Sequence, residues 1–73
     1  MENVKTKLIL SATELPDGWF NVELAFEDGS IYGNHFSSTL QYAKHDGESI
    51  VKRFIESQID KDYFEIINNI KTN

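Results

Sequence analysis

Eight residues, Trp19-Phe20-Asn21-Val22-Glu23-Leu24-Ala25-Phe26, lie between two turn signals, Pro16-Asp17-Gly18 and Asp28-Gly29. Phe20, Val22, Leu24 and Phe26 recur at period two. An extended chain therefore puts them on one face and Trp19, Asn21, Glu23 and Ala25 on the other. In the first turn proline fixes φ at one corner and glycine accepts a positive φ at the next. The second turn, Asp-Gly between two strand-like runs, is what a two-residue type I′ hairpin requires.

A strand that turns at both ends needs a neighbour on each side, and the flanking sequence supplies them. Val4 to Thr13 alternates, with Leu8, Leu10 and Ala12 on one face and Ile9 on the other. Ser30 to Phe36 forms the third strand. A two-residue turn at Asp28-Gly29 pairs Phe26 with Ile31, Ala25 with Tyr32 and Val22 with His35. That register keeps Ile31 on the apolar face and brings Gly33 and then His35 onto it, with His35 at the rim.

Residues 37–45 read as a loop, with an edge strand through Leu40 and Tyr42 as the alternative. Asp46 is expected to cap a helix over residues 47–59, because Ile50, Val51, Phe54, Ile55 and Ile59 form an apolar stripe opposite Lys52, Arg53, Glu56 and Gln58. Asp60-Lys61-Asp62 interrupts it. Asp62 and Glu65 then resemble an acidic capping box, and Tyr63, Ile66, Ile67 and Ile70 make a second helical stripe before the polar Lys71-Thr72-Asn73. A strand over 63–67 is the alternative, since isoleucine and aromatic residues also suit sheets. The expected fold class is α+β: a three-stranded antiparallel β-meander followed by two α-helices packed on one face, as a single domain over 1–73.

A chain of 73 residues buries only about 60% of its unfolded surface, which leaves room for one core. With no cysteine, disulfides, thiolate nucleophiles and cysteine-bound zinc are all excluded. His35 and His45 lie on different elements and lack metal-ligand spacing, even with Asp46 beside His45, so no metal and no cofactor is expected. No nucleophile elbow or phosphate loop occurs either, and the expectation is a protein that is not an enzyme. Leu8-Ile9-Leu10 is far too short for a signal-peptide core or a membrane span, which points to the cytoplasm.

Twelve acids against seven bases give a net charge of −5, which disfavours direct contact with nucleic acid. Glu14, Asp17, Glu23, Glu27 and Asp28 fall in a stretch without lysine or arginine. Strung along a strand and its turns, such acids either form a solvated face or imitate a nucleic-acid backbone toward a basic groove. Trp19 and Tyr32 are expected near each other on the less apolar face, as aromatic anchors or as cover for a corner of the sheet. The candidate partner-binding residues are Asp17, Trp19, Glu23, Glu27, Asp28 and Tyr32.

Glu48-Ser49-Ile50-Val51 followed by Phe54-Ile55, with a glycine-containing hairpin upstream and a later helix containing Phe64, resembles the small acidic phage anti-CRISPR proteins that inhibit Cas9. The resemblance implies a three-stranded sheet packed with helices and an acidic surface occupying the site where Cas9 reads target-adjacent duplex DNA. The chain lacks the family's helix ahead of the sheet and has a shorter, less acidic segment between the two final helices, so no functional residue is carried across. The expected function is a phage or mobile-element inhibitor that binds a basic protein surface, on a CRISPR effector or another nucleic-acid-binding defence protein. The alternative is a structural or regulatory interaction module, such as a homodimer formed through a sheet edge.

Overall fold

A computed structural model describes residues 5–70. The expected strand start at Val4 and the polar end at Lys71 to Asn73 lie outside them. The described residues form β1 (Thr6–Glu14), β2 (Phe20–Phe26), β3 (Ile31–Ser37), α1 (Leu40–Glu56), a 3₁₀ turn (Lys61–Tyr63) and β4 (Phe64–Asn68). The sheet order is β3-β2-β1-β4, with β1 antiparallel to β2, β2 antiparallel to β3, and β4 parallel to β1. This corrects the expected fold: the described residues have one α-helix, and a fourth strand stands where the second helix was expected.

Both hairpins close in the same way. Leu15 N–H donates to Trp19 O at 2.7 Å and Gly18 N–H to Leu15 O at 2.9 Å; Phe26 N–H donates to Ser30 O at 2.8 Å and Gly29 N–H to Phe26 O at 2.9 Å. Each loop thus has three residues ending in a positive-φ glycine, Gly18 at +90° or Gly29 at +96°. A type I′ turn at Asp28-Gly29 would need positive φ at both corners, and glycine alone adopts it among the described residues. The longer loop slips the register by one, so Ile31 pairs with Ala25 instead of Phe26. A β-bulge at Tyr32 absorbs the slip, and from Leu24↔Gly33 to Val22↔His35 the pairing matches the expected one. The slip moves Ile31 to the opposite face from the one expected and turns Tyr32 toward the helix, where its ring meets Phe54 at 5.0 Å.

The helix begins a full two turns before the expected position. Thr39, extended at φ −138°, accepts a hydrogen bond from Tyr42 N–H at 3.1 Å and is the N-cap in place of Asp46. Leu40, Ala43, Gly47, Ile50 and Phe54 then follow at steps of three and four. The helix ends at Glu56, so Ile59, expected on the apolar stripe, lies beyond it and is fully exposed. The expected second helix is replaced by the 3₁₀ turn and β4. In this segment Phe64 and Ile66 share the helix-facing side, while Glu65 and Ile67 face away.

One core lies between the sheet and α1. Leu8, Leu10, Val22 and Leu24 meet Ala43, Ile50 and Phe54, and Ile70 closes one end. Phe54 gathers three strands around one ring, with edge-on contacts to Phe26 at 6.2 Å, Tyr32 at 5.0 Å and Phe64 at 5.1 Å. All of this occupies one side of the sheet.

Candidate interaction surface

The other side of the sheet has no helix over it among the described residues. Its residues are fixed by the strand pairing and fall into successive rows. The first is apolar: Ile31 pairs with Ala25, Ala25 with Ile9, and Ile9 with Ile67, one aliphatic residue from each strand. Ile31 is 56% exposed and the other three are half-buried. The next row is polar, Asn34–Glu23–Ser11, and the row after it is Phe36–Asn21–Thr13, in which Phe36 is 54% exposed.

Glu23 is held in the middle of this face by a short relay. Asn34 Nδ2 donates to Asn21 Oδ1 at 3.1 Å, and Asn21 Nδ2 donates to Glu23 Oε1 at 2.9 Å. Oε2 takes no part in that relay. Among the described residues the one acid–base contact within 4.0 Å is His35–Asp46, on the other side of the sheet, so no lysine or arginine neutralises Glu23. Lys7 shares the open face, but it stands four residues along β1 from Ser11, the partner of Glu23, which is roughly 13 Å at the usual rise per residue.

The remaining candidate residues are placed differently from one another. Asp17 and Asp28 lie in the two hairpin loops, where each builds its own turn: Asp17 Oδ1 accepts from Trp19 N–H at 3.0 Å, and Asp28 Oδ1 accepts from Ser30 N–H at 2.9 Å and Ser30 Oγ–H at 2.7 Å. The Ser30 bonds, the hydroxyl's first, hold the Asp28 carboxyl below its ordinary value. Glu27 is exposed beside Asp28. Trp19 is 45% exposed next to the first loop, at the opposite end of β2 from Tyr32's neighbourhood. Trp19 and Tyr32 are therefore not a pair, because the bulge turns Tyr32 to the helix side. Sequence reasoning missed Asn21 and Asn34 even though the expected register already set Asn34 opposite Glu23, and it missed the aliphatic row because that row needs the bulge that turns Ile31 and the strand that carries Ile67.

A shallow cleft of about 240 Å³ opens between β3 and α1, lined by Asn34, His35, Asp46, Ser49, Ile50 and Arg53. Ser37 Oγ donates to Asp46 Oδ2 at 2.6 Å, and His35 Nε2 lies 3.5 Å from the same oxygen. Serine and histidine thus converge on one carboxylate oxygen, whereas nucleophilic catalysis needs serine on histidine and histidine on the acid. The cluster ties the edge strand to the helix. His45 lies apart, exposed on α1, and among the described residues no three His, Cys, Asp or Glu side chains group as metal ligands.

The described residues form a mixed four-stranded sheet with a single α-helix on one face and a patterned open face on the other. No protein-family model matches this chain, and neither does any curated protein or any solved structure. Phe64, which with residues 48–55 carries the anti-CRISPR resemblance, is in a strand and not in a helix. No helix among the described residues is long and apolar enough to cross a membrane.

Proposed function

We propose that this chain is a non-catalytic binding module whose open sheet face docks on a positively charged protein surface, and that it thereby inhibits a nucleic-acid-binding protein such as a CRISPR effector. The observation that carries the reading is Glu23, preorganised by Asn21 at the centre of the open face and, among the described residues, paired with no base. A carboxylate fixed in this way loses little side-chain entropy when it meets a cation. Asp17 and the Glu27-Asp28 pair stand at the two ends of β2, a strand of seven residues that spans about 23 Å. Backbone phosphates advance about 3.4 Å per step along one strand, so the three acidic positions mark the ends and middle of roughly seven steps.

A second reading has its own observation. β3 is an edge strand with no lysine or proline, and it exposes Ile31 and Phe36. Natural edges usually carry such protection, so pairing of β3 with a second copy is the competing use of the molecule. Capture from a bacterial lysate by the immobilised protein, at low and moderate salt and with duplex DNA as competitor, separates the two. The inhibitor reading expects a nucleic-acid-binding protein that is released by salt or by DNA and is retained less well by Glu23→Gln. Recovery of this chain alone at both salt concentrations, or capture indifferent to DNA, would overturn it.

A further inference from the structure

Resting on the binding-module reading, we infer that the open face receives an amphipathic basic α-helix of the partner, lying along β2 with a lysine or arginine on Glu23. The rows of the face repeat every second residue along a strand, about 6.6 Å apart. They run aliphatic, then acidic at Glu23, then aromatic at Phe36. A helix advances about 6 Å over four residues, so an apolar residue, a cation four residues on and a second apolar residue four beyond that meet the three rows in turn. The aliphatic row is four strands wide, roughly 14 Å, which seats a helix about 10–12 Å across.

Charge decides against a second copy as the occupant. Two such faces stacked on each other would enclose two Glu23 carboxylates between chains of net charge −5, each with Lys7 of its own chain too far along β1 to neutralise it. A partner that brings its own cation removes that cost. Because Asn21 occupies Oε1, an incoming guanidinium or ammonium finds Oε2 free of the relay and already oriented.

Nuclear magnetic resonance titration of the labelled full chain tests this with three probes: a synthetic leucine–lysine amphipathic helix, polylysine of equal charge, and a leucine–glutamate helix. The leucine–lysine helix is expected to shift the amides of Ser11, Glu23, Ala25 and Ile31 before those of α1, and the leucine–glutamate helix to shift none. Glu23→Lys should weaken the leucine–lysine helix about tenfold. Glu48→Lys makes the same charge change at an exposed position on α1 and should leave binding within about twofold. Ile31→Ser, at a position exposed enough to spare the fold, should weaken that helix about fivefold and leave polylysine unaffected. Shifts centred on α1, equal losses from Glu23→Lys and Glu48→Lys, or indifference to Ile31→Ser would overturn the inference. If polylysine binds as tightly as the helix through Glu23, the helical partner is wrong and the charge reading stands. If neither binds, both fall.

Discussion

Three acids on β2 and in the loops at its two ends illustrate how the same side-chain chemistry serves different ends. Asp17 and Asp28 accept hydrogen bonds from the backbone two residues on, so the turns themselves explain their presence. Glu23 makes no such local backbone bond and is held by a side-chain amide instead, which leaves it to act outward. Asp28 also makes a pH prediction. Its carboxyl is held low chiefly by the Ser30 hydroxyl, so its contribution to stability is complete above the ordinary aspartate range and is lost as pH falls through the lowered folded-state value. Ser30→Ala removes the largest cause. The Asp28 titration followed by side-chain carbon chemical shift should move up toward the ordinary value, and the stability gap between variant and parent should close in acid. An unmoved Asp28 midpoint in the variant would mean that the hydroxyl is not the cause.

At the scale of elements, legibility in the sequence followed the strength of the local signal. β2 is written out by four large apolar residues at period two, but its partner register turns on whether the loop has two residues or three, and Asp-Gly permits both. That one-residue ambiguity hid the aliphatic row of the open face, because it sends Ile31 to the wrong side. The front half of α1 was hidden for another reason: its core-facing positions are Ala43 and Gly47, too small to register as an apolar stripe, and Asp46-Gly47 imitates a helix start. β4 was obscured because Tyr63, Ile66, Ile67 and Ile70 fit helical spacing. The free edge of β1, invisible to local pattern, decides for a strand. Gly47 itself sets how closely α1 approaches the sheet. A Cβ there would stand 3.0 Å from Ile70 Cδ1 and 3.1 Å from Leu10 Cδ2. Gly47→Ala offsets this crowding with about 1 kcal/mol of helix propensity and should stay within about 1 kcal/mol of the parent in urea denaturation. Gly47→Leu should lose about 2–3 kcal/mol by overpacking. A leucine variant as stable as the parent would show that the helix does not need this close approach.

Across the whole molecule, the chain reaches its far edge last. β3 is parallel to β4, since each is related to β1 through the pairings of the sheet, and α1 carries the chain from one edge to the other across β2 and β1. Closure of the core therefore waits on the final described segment. Phe64 packs on Phe54, Ile66 joins the core from β4, and Ile70 reaches Gly47, while Asn69 N–H donates to Leu10 O at 2.8 Å beyond the strand proper. Fully burying a side chain such as Ile70 contributes about 1.5–3 kcal/mol, the partly buried Phe64 and Ile66 add smaller amounts, and a domain this size has a total margin of about 3–5 kcal/mol. A chain ending at Asp62 should consequently lack a cooperative thermal transition by circular dichroism, although it retains both hairpins and the whole of α1. A cooperative transition in that truncated chain would mean that α1 and the β1–β3 meander close a core unaided, and that β4 is an added edge and not the last wall of the fold.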